Sequence, residues 1–573
     1  MATSAQPNVA LVTGTLGLAI FAWSALFVWQ GLDFTDMGFL LVTYQQFYSA
    51  PETNVYFLLN WLTAFIGHWM GEPFGGSVVV YKLGVSVILA VTGMVAYLGL
   101  SAELGRRWML AVFIFVTFLF ATKTSANWIS YNNLTALFYV LGGVLLFTGL
   151  RRNRRAWVLL AGVILGANLF IRFPNLLGIG LVLAVVLHGI LQHWSPAKTL
   201  GWSAHFLLGW VLGIAAIALL IDAHGHADYY LQSLAGIFGK AVDEGSTHSG
   251  SMLIKMFVWE HIYAFVLAAL VVVAGILILR FTAARSRPVR MAVVLVSALI
   301  LALAFQPLES WKWVIPGLLY IGLLWVAWQE RGERPGLVVL AFIALAILVV
   351  APLGSNNGMR NATYGYWLAL PLLLTWLWQR TADVLPALPL VSSPAAGRLA
   401  AGTLAIALTG FSLVTAWFYT YRDSPNRLEL THPVNHPLLK GTYTTEARAR
   451  VVAALLAELP KWVQPGDTIL AYPDLPTVHY LTKTTTWTQN PWPILQRGPA
   501  LTAQLSSGSN SSAELPIVVR SIGVTHSFTW PIDSPRDESP DREAAWQAFD
   551  QFVQHQPYKQ VWANDFFEIF VPR

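Results

Sequence analysis

The chain has 573 residues, of which 56% are hydrophobic and only 11% charged, with 25 Trp and no Cys, and a mean hydropathy of +0.56. Soluble domains carry about a quarter charged residues, so this composition excludes a soluble globular protein and points to a polytopic α-helical membrane protein. The formal net charge of +6 would suit a nucleic-acid binder. The arginines, however, gather in short segments between apolar runs, where they read as topology signals, and no nucleic-acid partner is inferred. The absence of cysteine rules out disulfides, thiolate metal sites and a cysteine nucleophile.

A bilayer core takes about 20 apolar residues per helix. Runs near that length fall at 9–30, 76–100, 108–121, 134–150, 156–171, 176–192, 201–221, 256–279, 291–305, 313–328, 336–353, 364–379 and 399–419, which gives about thirteen spans. The N-terminal MATSAQPN lacks a basic leader, so the first run is expected to stay as a helix. In a thirteen-span arrangement Arg106, Arg107, the RRNRR block at 151–155, Lys198, Arg280, Arg285, Arg287, Arg290, Arg331, Arg334, Arg380 and Arg398 share one side, taken as cytoplasmic. The odd count puts the tail from Thr420 on the outer side. No internal repeat is evident, which disfavours inverted-repeat transporters.

After the membrane part, 1–419, the pattern changes. Over 420–573 the apolar runs shorten to strand length (DTILAY, PIVVR, FFEIFVP) and helical patterns recur at 444–459 and 541–555, predicting a small soluble α/β domain. Two long outer connections, 31–75 and 222–255, hold most of the polar chemistry, and 55–70 is apolar enough to lie along the membrane surface as a helix. Shorter outer turns supply TKTSANWISYNN, IRFPN, QPLESWKW and GSNNGMRNATYG. Convergence of these turns would build a pocket of carboxylates, cations, amides and aromatics, suited to an anionic amphiphile.

The acidic stretch DFTDMG at 33–38, just past the first span, together with about thirteen spans and an outer C-terminal domain, resembles the GT-C superfamily of integral membrane glycosyltransferases. GSNNGMRN at 354–361 and PDLPTVHYLT at 473–482 also look like pieces of bacterial relatives. The resemblance implies transfer of a sugar from a polyprenyl-phosphate donor to a lipid, glycan or protein acceptor at the periplasmic face of a bacterial inner membrane. Asp36 matches the family's acid and is the expected base, with Asp33 in reserve, and Met37 stands where many relatives carry a second acid. A single carboxylate base implies inversion at the anomeric carbon. Gly38 is expected to allow close backbone approach. Arg360 is the first candidate for the donor phosphate, followed by Lys240, Lys123 and Arg172. Glu309, Trp311, Asn356, Asn357 and Tyr44 are candidates for contact with sugar or acceptor.

Other motifs are weaker. His224, His226 and Asp228 form an H-x-H-x-D string that could hold a divalent metal, but on a helix they would not share a face, and a solvated loop is the plainer reading. Asp474 and His479 could face an acceptor, against a plainer reading as a buried strand entering a helix with His479 satisfied locally. No G-x-x-x-x-G-K-[ST] or G-x-G-x-x-G motif occurs, in keeping with a lipid-linked donor. A transporter or flippase of lipid-linked saccharides and a non-catalytic membrane scaffold remain as rival readings.

Overall fold

In lipid every backbone polar group must find its partner within the protein, so the apolar runs wind into helices. The computed structural model describes residues 7–242, 250–282, 309–354, 357–379, 394–495, 515–534 and 540–573, with a few positions between them at 285–296, 501 and 505. Its helices are α1 (Val9–Ala25), α2 (Asp36–Gln45), α3 (Trp61–Gly71), α4 (Val78–Leu104), α5 (Trp108–Thr122), α6 (Tyr131–Arg151), α7 (Arg155–Ala167), α8 (Val182–Leu191), α9 (Pro196–Ala223), α10 (Ala227–Val242), α11 (Gly250–Thr282), α12 (Trp311–Glu330), α13 (Pro335–Val350), α14 (Thr363–Gln379) and α15 (Pro394–Phe418). Seven helical segments among the described residues are long and apolar enough to cross a membrane, and four shorter apolar helices accompany them. The span expected at 291–305 falls almost entirely outside the described residues.

Close helix packing in this part uses small residues in place of a hydrophobic drive. Gly162 and Gly166 of α7 face Gly209 and Gly213 of α9, each pair four residues apart, so the two backbones touch. A Cβ on Gly209 would collide with the Leu159 carbonyl, and one on Gly166 with the Trp210 carbonyl. The other side of α9 exposes Leu200, Leu212 and Leu219, as a lipid-facing surface does.

The C-terminal residues add α16 (Glu446–Glu458), α17 (Pro476–Thr482) and α18 (Pro540–His555), with a short antiparallel pair, β1 (His432–Pro433) and β2 (Tyr443–Thr444). They also form a five-stranded sheet of β3 (Thr468–Tyr472), β4 (Thr485–Thr486), β5 (Ile517–Ser521), β6 (Tyr558–Ala563) and β7 (Phe567–Pro572) in the order β4-β3-β5-β7-β6. β3 pairs parallel with β4 and β5, whereas β7 runs antiparallel to β5 and β6. Ile469, Leu470, Ala471 and Tyr472 are all buried, as a central strand covered on both faces requires.

The connection after α1 shares one apolar core with this sheet. Phe34 meets Trp530 at 5.3 Å and Phe39 meets Trp492 at 5.9 Å between ring centroids. The close approach at Gly38 is made by Thr477 of α17, whose backbone a Cβ would strike, so that glycine serves the seam between α2 and α17. Thr477 donates to the Asp33 carbonyl through its hydroxyl, and its N–H donates to the Phe34 carbonyl.

Overpacking a tight seam costs about 1–3 kcal/mol. Gly209→Leu is therefore expected to lower the thermal unfolding midpoint of the detergent-solubilised protein. Gly201→Leu on the same helix, where a Cβ meets nothing within 4 Å, is expected to leave it unchanged.

Candidate active site

The site begins where α1 ends and the chain turns into α2. The carboxylate of Asp33 is consumed locally. One oxygen accepts from the Thr35 N–H at 2.8 Å and the Thr35 hydroxyl at 2.6 Å, and the other accepts from the Met37 N–H at 2.7 Å. An anion there satisfies the open N–H groups of α2 and sits favourably at its dipole. Burial, then Asp36, pushes the Asp33 carboxyl up to about 6, against Arg422 and these hydrogen bonds. Asp36 is different: its side chain is 34% exposed and pairs with Arg422 at 3.4 Å. It also accepts from the Tyr421 hydroxyl at 2.9 Å.

Tyr421 and Arg422 come from the segment YRDSPNR that follows α15. Arg422 has φ +56°, a left-handed backbone uncommon for a side chain of its size, so its surroundings must hold it. The next residue does so. Asp423 is fully buried against Arg448 at 2.5 Å, and accepts from the Leu32 N–H at 2.7 Å and the Thr444 hydroxyl at 2.9 Å. Arg448 spends its other N–H groups on the carbonyls of Arg422, Ser527, Phe528 and Trp530. Burial lowers the Arg422 guanidinium, but Asp36, Tyr421 and Asp33 outweigh it and raise it above its ordinary value.

Beside this pair lies a cavity of about 120 Å³ among α1, α4, α5, α6, α14 and α15. Tyr421 is in its wall, with Lys82, Lys123, Arg427, Asn132 and Tyr364. Lys82 donates to the Gln30 and Gly31 carbonyls at 2.8 Å each, bracing the entry into the Asp33 turn. Gly31 has φ +93°, and a Cβ there would press on Thr420 at 2.8 Å, so only glycine fits. The Tyr364 hydroxyl donates to Asn132.

Of the residues expected from sequence, Lys123 reaches this cavity and Trp311 supports it: the ammonium lies 3.4 Å from the Trp311 ring and 3.8 Å from Phe120. Trp311 is buried, so it holds a lysine where contact with sugar was expected. Arg360 is paired with Glu309 at 2.5 Å, and Glu309 also holds Lys312 at 3.0 Å. Burial opposes ionisation of Glu309, but hydrogen bonds from Arg360 and Lys312 keep its carboxyl below the usual range. Both this pair and the Asp36–Arg422 pair act on the Tyr419 hydroxyl, whose pKa is raised chiefly by burial. Arg172 is buried, reaches the Ala351 carbonyl at 3.4 Å and lies over the Tyr364 ring at 5.8 Å.

Several expectations give way to packing. Tyr44 is fully buried and donates to the Ile129 carbonyl at 3.0 Å, which places it in the core away from any acceptor. His226 is buried and accepts from the Trp61 indole at 3.0 Å, and its ring meets Phe47 at 4.7 Å. His224 packs on Tyr48 at 5.4 Å, while Asp228 is exposed in the first turn of α10. Among the described residues no group of three or more His, Asp or Glu is placed to hold a metal. Asn357 adjoins the turn carrying Arg360, whereas Asn356 and the side chain of Lys240 lie outside the described residues. Asp474 bonds Trp492 at 2.7 Å and His526 at 3.0 Å, and His479 is turned inward on α17 with Thr484 at 3.3 Å from its Nδ1.

Tyr421, Arg422, Lys82 and Arg427 escaped the sequence reading. Their signals were present: a dense polar heptad directly past the last span, and a lysine inside an apolar run, where an ionisable group is costly.

ArnT from Cupriavidus metallidurans bound to undecaprenyl phosphate superposes with a TM-score of 0.54 at 12% identity, over 98% of this chain and 97% of that one. The chain has a GT-C-like fold. The apo form of the same ArnT gives 0.42 at 14% identity, over 97% and 98% of the two chains. The Archaeoglobus fulgidus oligosaccharyltransferase in complex with zinc and sulfate gives 0.45 at 12% identity, over 90% of this chain and 68% of that one. No family model and no curated protein matches the sequence.

Removing one partner of a buried ion pair costs about 3–5 kcal/mol. Arg448→Met is expected to lower the thermal midpoint accordingly and to release Arg422 from its left-handed backbone, read as new protease sensitivity near 422. His479 carries a pH dependence, since burial pushes its imidazole from the ordinary 6.5 down to about 3. The folded state therefore binds fewer protons than the unfolded one in that window, and stability present above pH 6.5 is lost as the pH falls towards 3, by about 1.4 kcal/mol per unit. Thermal midpoints between pH 7 and 5 should show this loss in the wild type and a flatter profile in His479→Gln.

Proposed function

We propose that this protein is a membrane glycosyltransferase that moves a sugar from a polyprenyl-phosphate donor to a hydroxyl of a lipid, glycan or protein acceptor. The reaction is placed at the periplasmic face of a bacterial inner membrane, on the side that carries the C-terminal sheet. The observation that carries this reading is Asp36: a reachable carboxylate, fixed by Tyr421 and Arg422, beside a cavity whose wall holds Lys82, Lys123 and Arg427. The GT-C-like fold supports it.

In this mechanism an Asp36 oxygen takes the proton of the acceptor hydroxyl as that oxygen attacks the anomeric carbon. The bond to the phosphate oxygen breaks, and the polyprenyl phosphate leaves with the electron pair and gains negative charge. Lys123 and Lys82, both buried in the cavity wall, stabilise that charge in a site largely shielded from water, where such interactions are strongest. Arg360, paired with Glu309, and Arg172, over the ring of the wall residue Tyr364, are further candidates for the phosphate in this reading. Arg422 and Tyr421 hold Asp36 aimed through their ion pair and hydrogen bond. One displacement with one base inverts the anomeric centre.

Asp36→Asn, nearly isosteric, should keep the fold and lower sugar transfer by about 10²–10⁴-fold, the usual contribution of a general base. The assay is transfer of label from polyprenyl-phosphate sugars by purified protein. Undiminished transfer by this variant would move the base elsewhere.

A further inference from the structure

Arg427 is a buried cation in the cavity wall, and no step of the catalytic proposal uses it. Its Nε donates to the Ala416 carbonyl and its guanidinium lies 4.6 Å above the Phe27 ring. Among the described residues, one terminal nitrogen, Nη1, is buried without a hydrogen-bond partner. A buried guanidinium with an unused N–H group is costly unless an anion completes it. Burial indeed pushes Arg427 down to about 10, with only Asp423 opposing.

The position of Arg427 says where such an anion comes from. Arg427, Phe27 and Ala416 line the cavity, while their neighbours Leu428 and Trp417, with Leu413 and Phe418, line an apolar groove on the outside of α15. Trp417 packs on Phe27 at 6.0 Å, so one thin wall separates groove from cavity and Arg427 is its polar element. The groove is exposed: Leu428 at 71%, Phe418 at 62% and Trp417 at 46%. Leu428 belongs to the segment after α15, so the groove is built by the last helix and the beginning of the C-terminal part together. An apolar groove backed, across one wall, by a buried and incompletely bonded cation complements a molecule with a long hydrocarbon tail and an anionic head.

Resting on the glycosyltransferase reading, we propose that the groove formed by Leu413, Trp417, Phe418 and Leu428 is a lateral entrance for the polyprenyl tail, and that Arg427 binds the phosphate as the lipid passes into the cavity. Lys82 makes a second contact from inside, since an ammonium has three N–H groups and its two carbonyl bonds leave one.

The test compares binding of undecaprenyl phosphate and of neutral undecaprenol to the purified full-length protein by native mass spectrometry. Arg427→Gln should weaken the phosphate about tenfold or more and leave undecaprenol unchanged, with Arg427→Lys recovering part of the loss. Leu428→Asp should weaken both lipids. Undecaprenol binding by Arg427→Gln also shows that this variant is folded. If the wild type binds undecaprenyl phosphate and neither variant changes it, the entrance is overturned while the glycosyltransferase reading stands. If the wild type binds no undecaprenyl phosphate, both are overturned.

Discussion

The buried ion pair between Asp423 and Arg448 is the constraint on which the site depends. Both side chains are fully removed from water, and neither is left with an idle polar group. Such a pair adds little net stability over a well-packed apolar substitute, but breaking it is expensive, so its geometry is strongly enforced. Here the enforcement reaches in two directions. Through the Leu32 N–H it fixes the turn that leads to Asp33 and Asp36, and through the Arg422 carbonyl it fixes the residue that pairs with Asp36. Two segments almost 400 residues apart thus meet at one carboxylate.

The same arrangement divides labour between two aspartates three residues apart. The Asp33 carboxylate is spent on the N-terminus of α2, with its bonds inside the turn, whereas Asp36 is met by groups from the far end of the chain. Gly38 then lets α2 lie directly on α17, which locks the direction of Asp36 relative to the C-terminal sheet. A larger residue at that position would open the seam and move the carboxylate. Cations in the cavity follow a parallel logic: Lys123 is held by aromatic faces and Lys82 by the Gln30 and Gly31 carbonyls.

Periodicity and run length made the helical part legible, because a membrane helix must be apolar over its own length and little else in a chain is. Asp36 stood out for a different reason, as an acid placed directly past a span. Arg422 and Tyr421 were not, since their meaning lies in contacts with a loop that precedes them by almost 400 residues and no local pattern encodes such a contact. Trp311 and Tyr44 show the reverse error. An aromatic near a span end has the chemistry to hold a sugar, but Trp311 is covered by Lys123 and Tyr44 by Tyr81 and the Gly67 backbone. The H-x-H-x-D string reads most plainly as a solvated loop, yet His226 packs on Phe47 and bonds the Trp61 indole while His224 lies against the Trp61 ring. For His226 burial, then His224, lowers the pKa.

The central claim is that a single carboxylate drives a single displacement on a lipid-linked sugar. The most direct measurement is the anomeric configuration of the product that purified protein forms from a polyprenyl-phosphate sugar of known configuration, read by proton NMR. Inversion is the predicted result. Retention would require a covalent or ion-paired intermediate and a second displacement, and would contradict the role given to Asp36.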